Sequence, residues 1–540
     1  MTWIWAAALL LFGVSLVYAG LGGVRGADQY WYVADVETLI TSGQNQTNNI
    51  FPVTLLSGQR IPPPFVHNIL SLYLAALPAL FLGSFWGWLA LNLVSTLLCC
   101  YLIYKTCMRV TNTLFAQLAS LFYLLFPVTL WQTSQPLAEA SIAALVALGL
   151  YLLACADNGL RSWLAVASAA GLSYLARESL VLLLIAVPLG YVACGLSERG
   201  QRWWRVTSAG RQLAILMAVC LAFIGVGKIL FENIAVEMSY ARVLNSSVPN
   251  RTDSMFLWFD LSEANLQNKP PITMEILILK LTGGLARQFV EFDNPLLAGF
   301  HWIFNTLTLI TLAMLWRVRK KPLARRMVWA TSLLIAVHFA TIVMHLNQLR
   351  YLLLPMPGML IVLALGLAEW RAARGWSERY AVAAAGAVLM VAAPVQLLLA
   401  NHAHDQGRAE NKVVAAAAQV ISPDIFPGEA ALVSYTGRSS LLLGYALRPR
   451  PVLYFREDYT QAQYRRLLSE LPSCCRWLVA TADSPVLANL GVAPGAMIAS
   501  LPPLHCKSFK VFELATGRAS PPTESASSPR YNAELREAGR

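Results

Sequence analysis

Residues 2–28 read TWIWAAALLLFGVSLVYAGLGGVRGAD. An apolar run of the length that crosses a bilayer, about 20 residues, is followed at once by a glycine-rich turn, an arginine and an aspartate. Runs of this kind recur. Eleven occupy roughly 2–20, 84–104, 114–132, 137–155, 162–176, 179–196, 212–231, 298–316, 327–345, 352–369 and 380–399. Over the 540 residues, hydrophobic side chains make up 57% and charged ones 13%. Soluble globular chains carry roughly 25% charged residues, so a soluble enzyme, a disordered protein and a coiled coil are excluded. The expected fold class is an all-α polytopic membrane protein. No Lys or Arg precedes Arg25, so the basic segment of a cleaved signal is missing and the first run reads as a retained helix.

The net charge of +12 is explained by where the cations sit. Alternate short loops are dense in Lys and Arg, from Lys105 and Arg109 through Arg199, Arg202 and Arg205 to the cluster at 317–326 and Arg371, Arg374 and Arg379. The short loops on the other side carry little more than Arg177 and Arg350. By the positive-inside rule the dense loops and the N-terminus are cytoplasmic, and an odd number of spans puts the C-terminal segment outside. The excess therefore orients the chain, and no nucleic-acid partner is expected. An Ala, Leu and Arg bias points to a bacterial inner membrane, with the outer side periplasmic.

Three outer pieces are large: 21–83, about 232–297, and everything past about 400. Within the first, 64–82 follows three prolines and reads as a helix lying at the membrane surface. The division expected is a membrane module at 1–400, a small α/β domain at 401–515 and a disordered tail at 516–540. The α/β reading rests on buried-strand patterns at 429–434, 451–455, 476–481 and 508–514, with helical patterns at 409–421 and 459–471. Cys99, Cys100, Cys107, Cys155, Cys194 and Cys220 lack metal spacing and read as packing residues. Cys506 pairs with Cys474 or Cys475 only if the compartment is oxidising.

Charged residues at the membrane edge are costly and mark function by default. On the outer side these are Asp28, Arg60, His67, Glu139, Arg177 with Glu178, and Arg350 with His345 just before it. Each has a plainer reading: Asp28 as a helix cap, Glu139 as an acid favoured by a helix dipole, Arg177 and Glu178 as a solvated pair, Arg350 as a snorkelling cation, Arg60 as loop polarity and the histidines as packing. Their convergence on one face favours chemistry on a lipid-linked anion. Arginine pairs bidentately with phosphate, and a carboxylate serves as general base. No nucleotide-binding or metalloprotease motif is present.

With these residues in place, the chain resembles the GT-C membrane glycosyltransferases, nearest to protein O-mannosyltransferases and the aminoarabinose transferases of lipid A. Asp28 after the first span is followed four residues on by Tyr32 and then by Ser42-Gly43. Arg60-Ile-Pro-Pro-Pro64-Phe leads into a helix ending Phe81-Leu-Gly83. Glu139 opens the fourth span. Gly171-Leu-Ser-Tyr-Leu-Ala-Arg177 follows the fifth, and Arg350-Tyr-Leu-Leu-Leu-Pro355 marks a late one. The chain departs in having Gln29 where the family often has Glu, Ile61 between the cation and the prolines, and Glu rather than Asp at 139. The resemblance implies an inverting transferase that moves a hexosyl or pentosyl group from a polyprenyl phosphate to a hydroxyl of a lipid, protein or glycan. Asp28 and Glu139 would be catalytic. Arg177, Arg350 and Arg60 would hold the donor phosphate, and Tyr32, His67, Glu178, His345 and Tyr351 would contact substrate. A donor with one phosphate requires no metal, so neither cofactor nor metal ligand is expected, although some relatives bind a divalent ion. The rival classes are a transporter or flippase of envelope lipids, which predicts repeats and charges at mid-membrane, and a non-catalytic envelope assembly protein working through its C-terminal domain.

Overall fold

In a bilayer only helices or closed barrels satisfy every backbone N–H and C=O, and each apolar run of the sequence is helical over its described part. The computed structural model describes residues 1–42, 49–50, 69–156, 159–177, 180–199, 207–238, 274, 278, 303–313, 322–344, 352–374, 378–421, 431–435, 438–447, 452–456, 477–490, 492, 497–501, 503 and 508–513. The helices of the membrane part are α1 (Thr2–Leu21), α2 (Ala27–Ser42), α3 (Ile69–Leu82), α4 (Ser84–Val110), α5 (Thr113–Leu125), α6 (Pro127–Thr133), α7 (Glu139–Cys155), α8 (Leu160–Ala176), α9 (Val181–Arg199), α10 (Thr207–Met238), α11 (Ile303–Ala313), α12 (Pro322–Met344), α13 (Met356–Arg374) and α14 (Glu378–Val420). Among the described residues five of them are long and apolar enough to cross a membrane, or six if the bent pair α5–α6 is one span. Their outward faces are apolar as well: Leu10, Val14 and Val17 on α1, Val94 and Leu98 on α4, and Met390, Val391 and Leu398 on α14 are exposed. A helix apolar on all sides belongs in lipid. The chain is a multi-pass membrane protein.

Two expectations change. The run 114–132 was expected as one span, but α5 and α6 meet at 55°. Pro127 has no N–H and stands at the first position of α6, so the ladder must break there. The Gln396 side chain donates to the Leu124 carbonyl at 3.2 Å and so satisfies an acceptor near the break. The second change is at the C-terminal end. The apolar run ending at 399 and the helical pattern at 409–421 are one helix, α14, of 43 residues. At 1.5 Å per residue it is about 65 Å long, roughly twice the hydrocarbon thickness, so half of it stands clear of the bundle.

That projecting half crosses the end of α1 at close range. A Cβ added to Gly407 would lie 2.7 Å from the Gly22 carbonyl oxygen and 2.8 Å from its carbon, and one on Gly22 would lie 2.5 Å from the His404 oxygen. Only glycines permit this approach. Above the crossing lies a six-stranded sheet in the order β1-β3-β2-β4-β6-β5. Its strands are β1 (Asn49–Ile50), β2 (Ala431–Tyr435), β3 (Val452–Arg456), β4 (Trp477–Thr481), β5 (Met497–Ser500) and β6 (Phe509–Glu513), with α15 (Arg438–Leu447) and α16 (Pro485–Asn489) between them. The four expected C-terminal strands are present. β3, β2 and β4 run parallel, while β6 and β5 are antiparallel. The strand β1 comes from the segment after α2 and pairs in parallel with β3, Asn49 opposite Val452.

One apolar core joins sheet and membrane module. It holds Val24, Tyr30, Val33 and Val36 from the first loop and α2, Leu72 and Ala79 from α3, Trp88 from α4, Val414 and Ala417 from α14, and Val433, Leu442, Val452 and Val479 from the sheet unit. α3 buries Leu72, Ala75 and Ala79 and exposes Tyr73, Leu77, Leu80 and Phe81. Replacing Gly407 by Ala would drive a methyl group into backbone that cannot yield. Overpacking of that kind costs about 1–3 kcal/mol, and the Gly407→Ala protein is expected to show a lower thermal unfolding midpoint in detergent than the parent.

Candidate functional site

The first turn of α2, where Asp28 is the second residue, is fixed from three sides. From α4, the fully buried Trp88 donates its indole N–H to the Tyr32 carbonyl at 3.0 Å, and its ring lies 5.6 Å from that of Tyr32. From α14, Glu410 Oε2 accepts the Gly26 amide at 3.0 Å and the Tyr30 hydroxyl at 2.5 Å. From the sheet unit, the Tyr445 ring packs 4.8 Å from Tyr30. Gln29 Oε1 turns back to accept the Arg25 amide at 3.1 Å, which satisfies a donor just ahead of the helix.

Arg25 is 2% exposed. Its Nη2 donates to Ser134 Oγ at 2.6 Å, and its guanidinium lies 4.7 Å from the centre of the Trp131 ring. Burial pushes its pKa down to about 9, against which Glu410 acts to raise it, so it stays charged at neutral pH. Ser134 begins the short segment that leads into α7. Asn92 of α4 donates to Gln135 O at 2.5 Å in that segment. These bonds bring the start of α2 and the approach to Glu139 to the same end of the bundle.

Glu139 is the first residue of α7 and is buried. Its Oε1 lies 3.6 Å from Arg177 Nη1. The side chains are 10% and 18% exposed, so this pair is largely withdrawn from solvent. Arg177 caps α8, its amide donating to the Ser173 and Tyr174 carbonyls, and the extended backbone there ends the helix. The glycine six residues earlier has a physical reason. A Cβ on Gly171 would stand 2.4 Å from the Phe223 ring of α10, so this position needs the missing side chain for α8 and α10 to pack. Ser141, two residues after Glu139, shares a hydrogen with Ser71 of α3 at 2.7 Å, tying α3 to the same end.

The structure thus places Tyr32 beside Trp88 and brings Glu139 and Arg177 together. For Asp28 it describes the backbone position only. Arg60, His67, Glu178, His345, Arg350 and Tyr351 lie outside the described residues, as do most of 232–297, the pattern at 459–471, the cysteines at 474, 475 and 506, and the tail. Among the described residues no three His, Cys, Asp or Glu side chains gather as a metal-holding group. Cys99, Cys100, Cys107 and Cys220 are buried and unbridged. Sequence reasoning missed three residues. Arg25 was legible as the one cation in the turn before Asp28. Asp35, 1% exposed, follows Asp28 by seven residues and Tyr32 by three, a spacing that puts all three on one helix face. Glu410 carried no local signal.

The crystal structure of ArnT from Cupriavidus metallidurans bound to undecaprenyl phosphate superposes with a TM-score of 0.54 at 15% identity, over 96% of this chain and 99% of that one. The two chains share one fold along nearly their whole length. An oligosaccharyltransferase from Archaeoglobus fulgidus, crystallised with Zn and sulfate, shares the fold at a TM-score of 0.50 and 11% identity, over 91% of this chain and 71% of its own. The same oligosaccharyltransferase tethered to an acceptor peptide gives 0.51 at 11% identity, over 88% and 69%. No family model matches the sequence, and no curated protein matches it. At these identities the likeness is one of fold.

The Glu139–Arg177 pair is directly testable. Removing one partner strands the other charge in a part-buried place, and contacting residues couple by about 0.5–3 kcal/mol. The double variant Glu139→Gln, Arg177→Gln is expected to melt closer to the parent than Arg177→Gln alone. Additive losses in thermal melting would show that the pair does not interact.

Proposed function

We propose that this protein is an inverting glycosyltransferase that moves a sugar from a polyprenyl-phosphate donor to a hydroxyl acceptor at the sheet-bearing end of the bundle. The observation that carries the reading is the ion pair of Glu139 and Arg177, held at the end of a GT-C bundle where the helix bearing Asp28 begins. Undecaprenyl phosphate bound to ArnT and an acceptor peptide tethered to the oligosaccharyltransferase support a lipid-phosphate donor and a separate acceptor.

The chemistry is a single displacement. The acceptor oxygen bonds to the anomeric carbon as the bond from that carbon to the phosphate oxygen breaks. Asp28 takes the acceptor proton, and general-base assistance of this kind contributes about 10²–10⁴-fold. The electron pair leaves on the polyprenyl phosphate, where Arg177, with Arg350 and Arg60, meets the developing charge. Preorganised donors at such a position contribute about 10²–10³-fold. Glu139 sets the guanidinium of Arg177 through their pairing, and Tyr32, His67, Glu178, His345 and Tyr351 line the substrates. With one phosphate to neutralise, arginines suffice electrostatically and no metal is required. The cation-rich loops face the cytoplasm, which puts the sheet end in the periplasm of a bacterial inner membrane. The division into a membrane module at 1–400, an α/β unit at 401–515 and a tail belongs to this reading.

Mass spectrometry of envelope glycans and glycolipids with and without the gene identifies the product. Asp28→Asn is expected to abolish that product while membrane insertion and melting stay intact. Wild-type product in Asp28→Asn cells would overturn the assignment, and a flippase or assembly factor would behave in that way. Arg177→Ala is expected to lower product formation by about a hundredfold or more. Alkaline phosphatase fused after residue 515 is expected to be active, and an inactive fusion would invert the orientation.

A further inference from the structure

Two of the side chains that hold the turn around Asp28 stand about 380 positions further along the sequence. Glu410 stands on the part of α14 that has left the bundle, and its carboxylate is buried, with the residue 8% exposed. One oxygen, Oε2, accepts from the Gly26 amide and the Tyr30 hydroxyl, the residues two before and two after Asp28. Its other oxygen accepts from Gln406, one turn earlier on the same helix, at 3.3 Å. The neighbouring Asn411 repeats the pattern on the incoming side, its Nδ2 lying 3.0 Å from Gly22 O and 3.1 Å from Val24 O. Two adjacent side chains of one helix therefore hold the chain from the last turn of α1 to the first turn of α2. The helix behind them is anchored, because Val414, Ala417 and Ile421 sit in the core shared with the sheet.

The charge of Glu410 has its own consequence. Arg25 is buried, and among the described residues the Glu410 charge acts to raise its pKa against the effect of burial. Arg25 reaches in turn to Ser134 and Trp131, and Trp131 stacks on His402 of α14 at 5.9 Å and 19°. The same carboxylate thus bears on the turn that carries Asp28 and, through Arg25, on the segment that leads to Glu139.

We propose that Glu410 is a positioning residue for sugar transfer. Its carboxylate, bonded to Gly26 and Tyr30, fixes the turn that carries Asp28. The proposal rests on the reading of Asp28 as the general base. It gives the C-terminal unit a role in the reaction without any contact to substrate.

The test compares Glu410→Ala, Glu410→Gln and Asp28→Asn in the full-length protein. Three measurements are made: the envelope product whose loss marks deletion of the gene, binding of undecaprenyl phosphate to the purified protein in nanodiscs, and thermal melting. Misplacement of a reacting group by about 1 Å costs about a hundredfold. Glu410→Ala is accordingly expected to lose about tenfold or more of product formation, while undecaprenyl phosphate affinity stays within about twofold, because the phosphate-binding arginines are untouched. Glu410→Gln keeps an oxygen for Gly26 and Tyr30 and is expected to recover at least half of the loss. Amide exchange over residues 22–30 is expected to rise in Glu410→Ala and to return toward the parent in Glu410→Gln. Product formation in Glu410→Ala equal to that of the parent would overturn the proposal. So would a joint loss of product, lipid binding and melting temperature, which marks a merely structural role, and so would failure of Glu410→Gln to rescue a folded protein. A dead Asp28→Asn beside a fully active Glu410→Ala removes the positioning role alone. Full product from Asp28→Asn removes the underlying reading instead.

Discussion

A guanidinium taken out of water has to be compensated where it stands, and Arg25 sets that demand at the junction of α1 and α2. Its partners come from two separate parts of the chain: Trp131 of α6 with Ser134 just after it, and Glu410 on α14. Losing one member of a buried charged network costs more than the network contributes net, because the remaining charge is stranded. The arrangement is therefore better understood as a device that fixes geometry than as a source of stability. It settles where α2 starts, and α2 carries Asp28, Tyr32 and Asp35.

The C-terminal unit follows from the same constraint. α14 passes straight from the bundle into the sheet unit, and the core that packs the sheet also packs α2 and α3. The first loop adds β1 to the edge of the sheet beside β3. An open strand edge invites pairing with other chains, and here the chain's own first loop occupies it. The unit bearing the sheet is thus built into the end of the bundle at which Glu139 and Arg177 meet.

Much of this was legible in the sequence, for physical reasons that can be named. Bilayer thickness sets the length of a spanning run, so the helix positions could be read from apolar composition. Four strands of the sheet were visible because buried strands are short continuous apolar runs, as in Trp477–Thr481. Glu139 and Arg177 stood out because charges at a membrane edge are rare. The break at Pro127 was legible in principle, since a proline inside an apolar run removes a ladder bond, but hydropathy alone passes over it. The continuity of α14 was hidden because its outer half is polar on one face and looked like the start of a separate domain. β1 has two residues and no pattern of its own. Glu410 is one acid in a polar helical stretch, and only its distant partners distinguish it from a solvated residue.

The hydrogen bond from Tyr30 to Glu410 joins residues 380 apart in the sequence, and β1 has its partner strand near residue 452. Synthesis runs from the N-terminus, so the segment bearing Asp28 emerges long before Glu410 and β3, which help to hold it. Through most of translation the bundle can be threaded into the membrane with its first loop unseated. The turn reaches its final place only after α14 and the sheet strands have followed.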